Sequence, residues 1–225
     1  ELLDHARRSP VGRIHYCHEF VEYREGEGRY VYDQVPTWGP HPDTTAGLAK
    51  VAKEFPLVGL TNAMDVQIPH NIEKIGVPFH AVLGNHDIRT ANGTPQVAYR
   101  PFGMAGRWYN LRRGPVEFFF LDTNGNTDRQ RQLSWLRTVL AASTAPWKVV
   151  VGHHPIYSSG LYGNDPGLKA KLSALMRQHG VQLYINGHEH NYERSKPIDG
   201  ITYLVVGGGG MTSKSITGVG FVARA

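Results

Sequence analysis

The chain has almost no cysteine, no long apolar run and no block of one charge. Its single cysteine, Cys17, excludes an intrachain disulfide framework and a cysteine-built zinc site. No apolar stretch approaches the length of a membrane-spanning helix, so no membrane partner is expected. The opening residues, Glu1 to Arg8, lack the apolar segment of a signal peptide, as a mature, processed or truncated chain would. Lys and Arg are scattered, which argues against a nucleic-acid tail, and no specific nucleic-acid partner is expected. No P-loop spacing and no evident Ser-His-Asp arrangement occurs, so NTPase and serine hydrolase chemistries are disfavoured.

What is present suits a globular enzyme. The 225 residues are 40% hydrophobic and 19% charged, which fits one domain, 1–225, with a sizeable core. The formal net charge of +5 suits an anionic partner such as a small phosphate ester. The charge fixes no oligomeric state.

Periodicity reads poorly over the first part of the chain. Arg29 to Tyr32 has strand character, and Thr44 to Phe55 has helical spacing. Further on, Asn71 to Gly76 reads as the end of a short helix. Short, nearly continuous apolar runs then predict strands at Val77–Leu83, Val116–Leu121, Trp147–Val151, Val181–Ile185 and Ile201–Val206. Two amphipathic helices are predicted between them, over Asp128–Ala142 and Pro166–His179, with Gly180 as a cap. Strands alternating with helices predict an α/β fold.

Three of these strands run into glycine and then histidine: Gly84-Asn85-His86-Asp87, Gly152-His153-His154 and Gly187-His188-Glu189-His190. One such turn is commonplace; three in order, each after a strand, point to a shared cleft at the strands' carboxyl ends. Imidazole, carboxylate and amide oxygen together suit Zn, Fe or Mn. In an extended segment His188 and His190 would lie roughly 6–7 Å apart, too far for easy chelation of one ion. That separation suits two ions about 3.5–4 Å apart, one imidazole each.

The motifs "GNHD", "GHHP" and "GHEH" resemble those of the calcineurin-like metallophosphoesterases. The longer stretches "WKVVVGHHPIYSSG", "GHEHNYER" and "ITYLVVGGGG" are similar to the purple acid phosphatase branch, especially its small tartrate-resistant type. The likeness implies a four-layer α/β/β/α sandwich with the site at the carboxyl ends of strands, and a secreted or periplasmic setting. It implies two metal ions, Fe, Zn or Mn. Asn85, His153 and His188 would bind one and His190 the other. His86 would contact phosphate and help the leaving group, with Asp87 orienting it. His154 stands at a position the family leaves variable and would only line the substrate pocket. Apart from the likeness, Tyr157 is a candidate aromatic for the pocket rim, with packing in the core or at the surface as its alternative role.

Residues 1–70 depart from the family pattern. Thr37 occupies the place of an early metal-binding aspartate, Thr61 that of the bridging aspartate and Met64 that of the metal-binding tyrosine. Three readings stay open: the acids come from Asp33, Asp43 or Asp65 by a shifted alignment; the chain is a degenerate relative with one metal or none; or this stretch is incomplete. The leading expectation is hydrolysis of phosphate monoesters by metal-activated water. The alternatives are a phosphodiesterase or nuclease on the same scaffold, and a non-catalytic pseudophosphatase.

Overall fold

The computed structural model describes residues 12–16, 19–23, 44–51, 53 and 79–207. Two compact units divide the chain: Glu1–Leu57 with Ala63–Val77, and Val58–Asn62 with Pro78–Ala225. The first contains an antiparallel pair, β1 (Gly12–Tyr16) and β2 (Glu19–Tyr23), with Gly12 opposite Tyr23, and one helix, α1 (Thr44–Val51). The strand expected at Arg29–Tyr32 and the helix end at Asn71–Gly76 lie outside the described residues.

The second unit is built on a six-stranded mixed sheet in the order β3-β4-β5-β6-β8-β7. Its strands are β3 (Tyr109–Arg113), β4 (Val116–Phe120), β5 (Trp147–Val151), β6 (Leu183–Asn186), β7 (Tyr192–Arg194) and β8 (Thr202–Val206). Neighbours β4, β5, β6 and β8 are parallel; β3 and β7 close the two edges antiparallel. The four parallel strands therefore deliver their carboxyl ends, and the loops that follow, to one edge.

Both faces of this sheet are covered, which is why its central strands read as apolar runs rather than alternating ones. Side chains alternate across the pleat. Phe119, Val150, Tyr184 and Tyr203 enter one core with Leu136, Leu140, Leu172 and Met176. Phe118, Phe120, Val149 and Val151 enter a second with Val82 and Tyr109. The first core is supplied by α3 (Arg129–Ala142) and α4 (Pro166–Gln178), which cross between successive parallel strands; the short α2 (Thr94–Ala98) precedes β3.

Local chemistry sets the ends of the long helices. Asp128 caps α3 by accepting from Arg131 N at 3.1 Å. Asp165 caps α4 by accepting from Leu168 N at 2.9 Å, with Pro166 in the first turn, where a missing N–H costs nothing. Gly180, at φ 67°, takes the left-handed turn that ends α4.

Of the strand expected at Val77–Leu83, the described part, residues 79–83, forms no ladder with other described residues, although Ala81, Val82 and Leu83 are buried. Their backbone is satisfied piecemeal instead: Ala81 N donates to Phe102 O, Ala81 O accepts from Tyr109 Oη and Leu83 O accepts from Asn124 Nδ2. Burial and apolarity were read correctly, but the hydrogen-bonding partners are a loop and two side chains. The second sheet of a sandwich is not among the described residues.

Candidate metal and phosphate site

The loops after β4, β5 and β6 meet the turn at Asn85 and His86. His153 lies at the centre. Its Nε2 is 2.9 Å from Asn85 Oδ1 and 3.2 Å from His188 Nδ1. One ring nitrogen from each of His153, His154 and His188 lies within 4.8 Å of the others.

Close packing forces the small residue in the second loop. A Cβ on Gly152 would stand 2.6 Å from Tyr184 Oη and 2.7 Å from Thr123 Cγ2, so only glycine fits this exit from β5. The third loop is bent rather than extended. His188 has φ 66°, an unusual conformation for a residue with a β-carbon, and such strain concentrates at functional sites. The extended spacing expected for His188 and His190 is thereby corrected: the turn at His188 sends its ring toward His153. His190 lies outside the three-imidazole group and borders a small cleft with Leu161, Tyr162, Glu189 and Asn191.

A buried scaffold that carries no motif of its own holds the cluster. Directly after β4 come Leu121, Asp122, Thr123 and Asn124. Asp122 is fully buried and accepts from Arg107 Nε and Nη2 at 3.1 and 2.9 Å, and from Thr127 Oγ1 at 2.7 Å. Thr123 Oγ1 accepts from the backbone N–H groups of His153 and His154, at 3.2 and 3.0 Å, and meets His154 Nδ1 at 2.8 Å. Sequence reasoning passed over Asp122, Thr123 and Asn124; their position just past the carboxyl end of a buried strand was the available signal.

A second carboxylate fixes the wall of the site. Glu189 is buried and accepts from the N–H groups of Leu161, Tyr162 and Gly163. This places the Tyr162 ring over His188, with centroids 4.5 Å apart. Tyr157, expected in the pocket, instead packs edge-on against Tyr203 in the core, 4.7 Å between centroids, with Lys169 Nζ over its face. Its apolar neighbours in the first core draw the ring inward.

Asp87 Oδ2 accepts from Gly84 N at 2.7 Å and so closes the turn that presents Asn85 and His86. Burial pushes its carboxyl up to about 6, helped by the nearby Asp122 charge and opposed by the Gly84 N–H. His153 is held well below the usual histidine range, first by burial, then by the imidazoles of His154, His188, His86 and His190. Burial likewise lowers His154. Asp65, Thr37, Thr61, Asp33 and Asp43 lie outside the described residues.

The donor set suits a metal ion. Ligand atoms around a tetrahedral ion with bonds of about 2.1 Å lie roughly 3.4 Å apart. The 3.2 Å separation between His153 Nε2 and His188 Nδ1 is close to that value, while the 2.9 Å contact to Asn85 Oδ1 is a hydrogen-bond distance that would widen around an ion. Neutral imidazole is the ligating form, and burial keeps His153 neutral.

The mouse tartrate-resistant acid phosphatase type 5 is 27% identical, over 75% of this chain and 62% of its own length. Purple acid phosphatase 4 of Arabidopsis thaliana is 33% identical, over 59% of this chain and 47% of its own. The chain thus spans less than two thirds of these relatives. The purple acid phosphatase PPD1 from yellow lupin superposes with a TM-score of 0.64 at 19% identity, covering 80% of this chain and 42% of that one, which shows a shared α/β metallophosphoesterase fold. The calcineurin-like phosphoesterase family model matches residues 55–192, a span that contains every histidine of the cluster, and the chain belongs to that family.

Proposed function

We propose that the chain carries the catalytic site of an acid phosphatase-type hydrolase that cleaves phosphate monoesters with metal-activated water. The observation that carries this reading is the convergence of Asn85 Oδ1, His153 Nε2 and His188 Nδ1 at ligand spacing. These three residues would hold one ion, and His190 would contribute to a second. The chemistry such ions supply is Lewis acidity toward a phosphoryl oxygen and toward the attacking water, and Fe, Zn and Mn all suit the donors.

The chain's own residues do the rest. Asn85 and His153 come from loops 68 residues apart and are drawn together by the Thr123 and Asn124 anchors. His86, on the turn closed by Asp87, would give a proton to the departing alkoxide. Tyr162 walls the site beside His188 and limits water around the leaving group. If Thr37 and Thr61 leave the second position without acids, one ion is held.

A second reading, a non-catalytic relative, draws on one observation. The imidazole group among the described residues includes no carboxylate, and the buried Asp122 is engaged by Arg107. The deciding experiment is elemental analysis of the purified chain alongside hydrolysis of p-nitrophenyl phosphate and bis-p-nitrophenyl phosphate. Bound metal with faster monoester cleavage is expected. Faster diester cleavage would move the reading to a phosphodiesterase, and absence of metal and turnover would leave a pseudoenzyme.

A further inference from the structure

Leu161 and Tyr162 stand 58% and 44% exposed beside the imidazole cluster. Single exposed hydrophobics are ordinary, so exposure alone says little. What sets these two apart is how firmly they are held and what they border. Two buried carboxylates grip the segment that carries them. Glu193 accepts from Ser158 Oγ, Ser159 N and Ser159 Oγ at its start. Glu189 accepts from the N–H groups of Leu161 at 3.0 Å, of Tyr162, and of Gly163 at 3.2 Å. Ser158 N donates to Asn164 Oδ1 at 3.0 Å, which closes the segment on itself. Gly160 packs so tightly here that a Cβ would stand 2.5 Å from Glu189 Cδ. Hydrogen bonds to an ionised acceptor are roughly twice as strong as neutral ones. The loop is therefore fixed in place beforehand, and a ligand does not have to order it.

We infer that Leu161 and Tyr162 determine substrate specificity, by receiving the aromatic group of an aromatic phosphate monoester. The Tyr162 ring lies 4.5 Å from the His188 ring between centroids, tilted by 36°, so the apolar wall is continuous with the metal-binding cluster. Leu161 and Tyr162 border a cleft of about 240 Å³ with Glu189, His190 and Asn191. Sites that enclose a whole drug-sized ligand measure roughly 300–1,000 Å³, so this cleft suits one group of a substrate. A tyrosine ring favours another ring set edge-on or offset against it, and Leu161 adds apolar contact. The Glu189 carboxylate beneath is engaged by three N–H groups, which weakens its repulsion of an arriving anion.

This inference rests on the phosphoesterase reading, but its test needs no turnover. Phenylphosphonate and methylphosphonate carry a P–C bond that hydrolysis does not cleave. Calorimetric binding of both to the zinc-loaded chain gives an affinity ratio, and comparing ratios between variants cancels the intrinsic difference between the two anions. Wild type should bind phenylphosphonate roughly tenfold more tightly. The ratio should fall toward one in Tyr162→Ala and in Leu161→Ala, and should persist in Tyr162→Phe, which keeps the ring. Both positions are exposed, so the variants should fold, and melting temperatures check that they do. Equal affinities in wild type overturn the inference. So does an unchanged ratio in either alanine variant, a ratio lost in Tyr162→Phe as fully as in Tyr162→Ala, or failure of wild type to bind either phosphonate. A chain that cleaves p-nitrophenyl phosphate but does not distinguish the phosphonates keeps the hydrolase reading and loses this one. A chain that distinguishes them through Leu161 and Tyr162 but cleaves no monoester does the reverse.

Discussion

His153 Nε2 and Asn85 Oδ1 lie 2.9 Å apart although 68 residues separate them in the chain. Two neutral groups at that distance, with a second imidazole at 3.2 Å, offer donor atoms that would suit a cation. Asn85→Ala should lower bound metal without unfolding the protein, because Asn85 is a turn residue outside both cores. Metal content by elemental analysis and the melting temperature of the metal-free chain check this. Equal metal in wild type and variant would remove Asn85 from the ligand set.

Metal should also be coupled to stability. An ion that binds only the folded chain stabilises it by about 2.7 kcal/mol at a hundredfold excess over its dissociation constant. Adding a chelator should therefore lower the melting temperature of wild type and leave that of His188→Ala almost unmoved. An equal chelator effect on both proteins would place the ion elsewhere.

Gly152→Ala should be disruptive even though its backbone angles tolerate alanine. The added Cβ would collide with Tyr184 Oη at 2.6 Å and Thr123 Cγ2 at 2.7 Å, and neither can retreat, since Tyr184 is fully buried and Thr123 is held to the backbone of His153 and His154. Overpacking of this kind costs about 1–3 kcal/mol. Denaturant unfolding should show that loss, together with reduced metal affinity as Thr123 shifts. A variant as stable as wild type would mean that the β5 loop is softer than its contacts imply.

The central strands and the two long helices were legible because their burial leaves a pattern. Val116-Glu117-Phe118-Phe119-Phe120 is apolar on both sides because each face meets a core, and α4 repeats leucine at the spacing that faces the sheet. The edge strands were not legible. Tyr109–Arg113 is mostly exposed, and Tyr192–Arg194 buries only Glu193, so neither shows an apolar signature. In the site, the histidines announced themselves through glycine and spacing. Thr123 and Asp122 did not, because their work is to satisfy backbone and guanidinium groups supplied by distant segments. The bend at His188 was hidden as well, since a positive φ at a histidine has no signal in composition.

Leu172→Ala should test the core beneath the site. Leu172 is 2% exposed and packs on the helix side of the sheet. Removing its side chain should cost about 2–5 kcal/mol, with metal content at low temperature retained. A loss of metal with unchanged unfolding free energy would contradict its assignment to the core.

Glu193 gives the fold a dependence on pH that is separate from the chemistry. It is buried on β7 and accepts from Ser158 Oγ at 2.7 Å, Ser159 N at 2.7 Å, Ser159 Oγ at 2.8 Å and Asn191 Nδ2 at 2.8 Å. Burial by itself raises the carboxyl, but the hydrogen bonds from Ser158, Ser159 and Asn191 together outweigh it and leave it below its ordinary value of 4.5. A carboxylate lowered on folding contributes stability that is present above the unfolded value and lost as pH falls through the folded one. The metal-free chain should therefore lose stability below about pH 4.5, and Glu193→Gln should flatten that part of the profile. The variant should also be less stable at neutral pH, by about 1–3 kcal/mol, because an amide cannot accept all four bonds and points an N–H at a donor. Urea unfolding of both chains at matched pH values measures the two effects. Parallel pH profiles for wild type and Glu193→Gln would show that other carboxylates dominate the acid response.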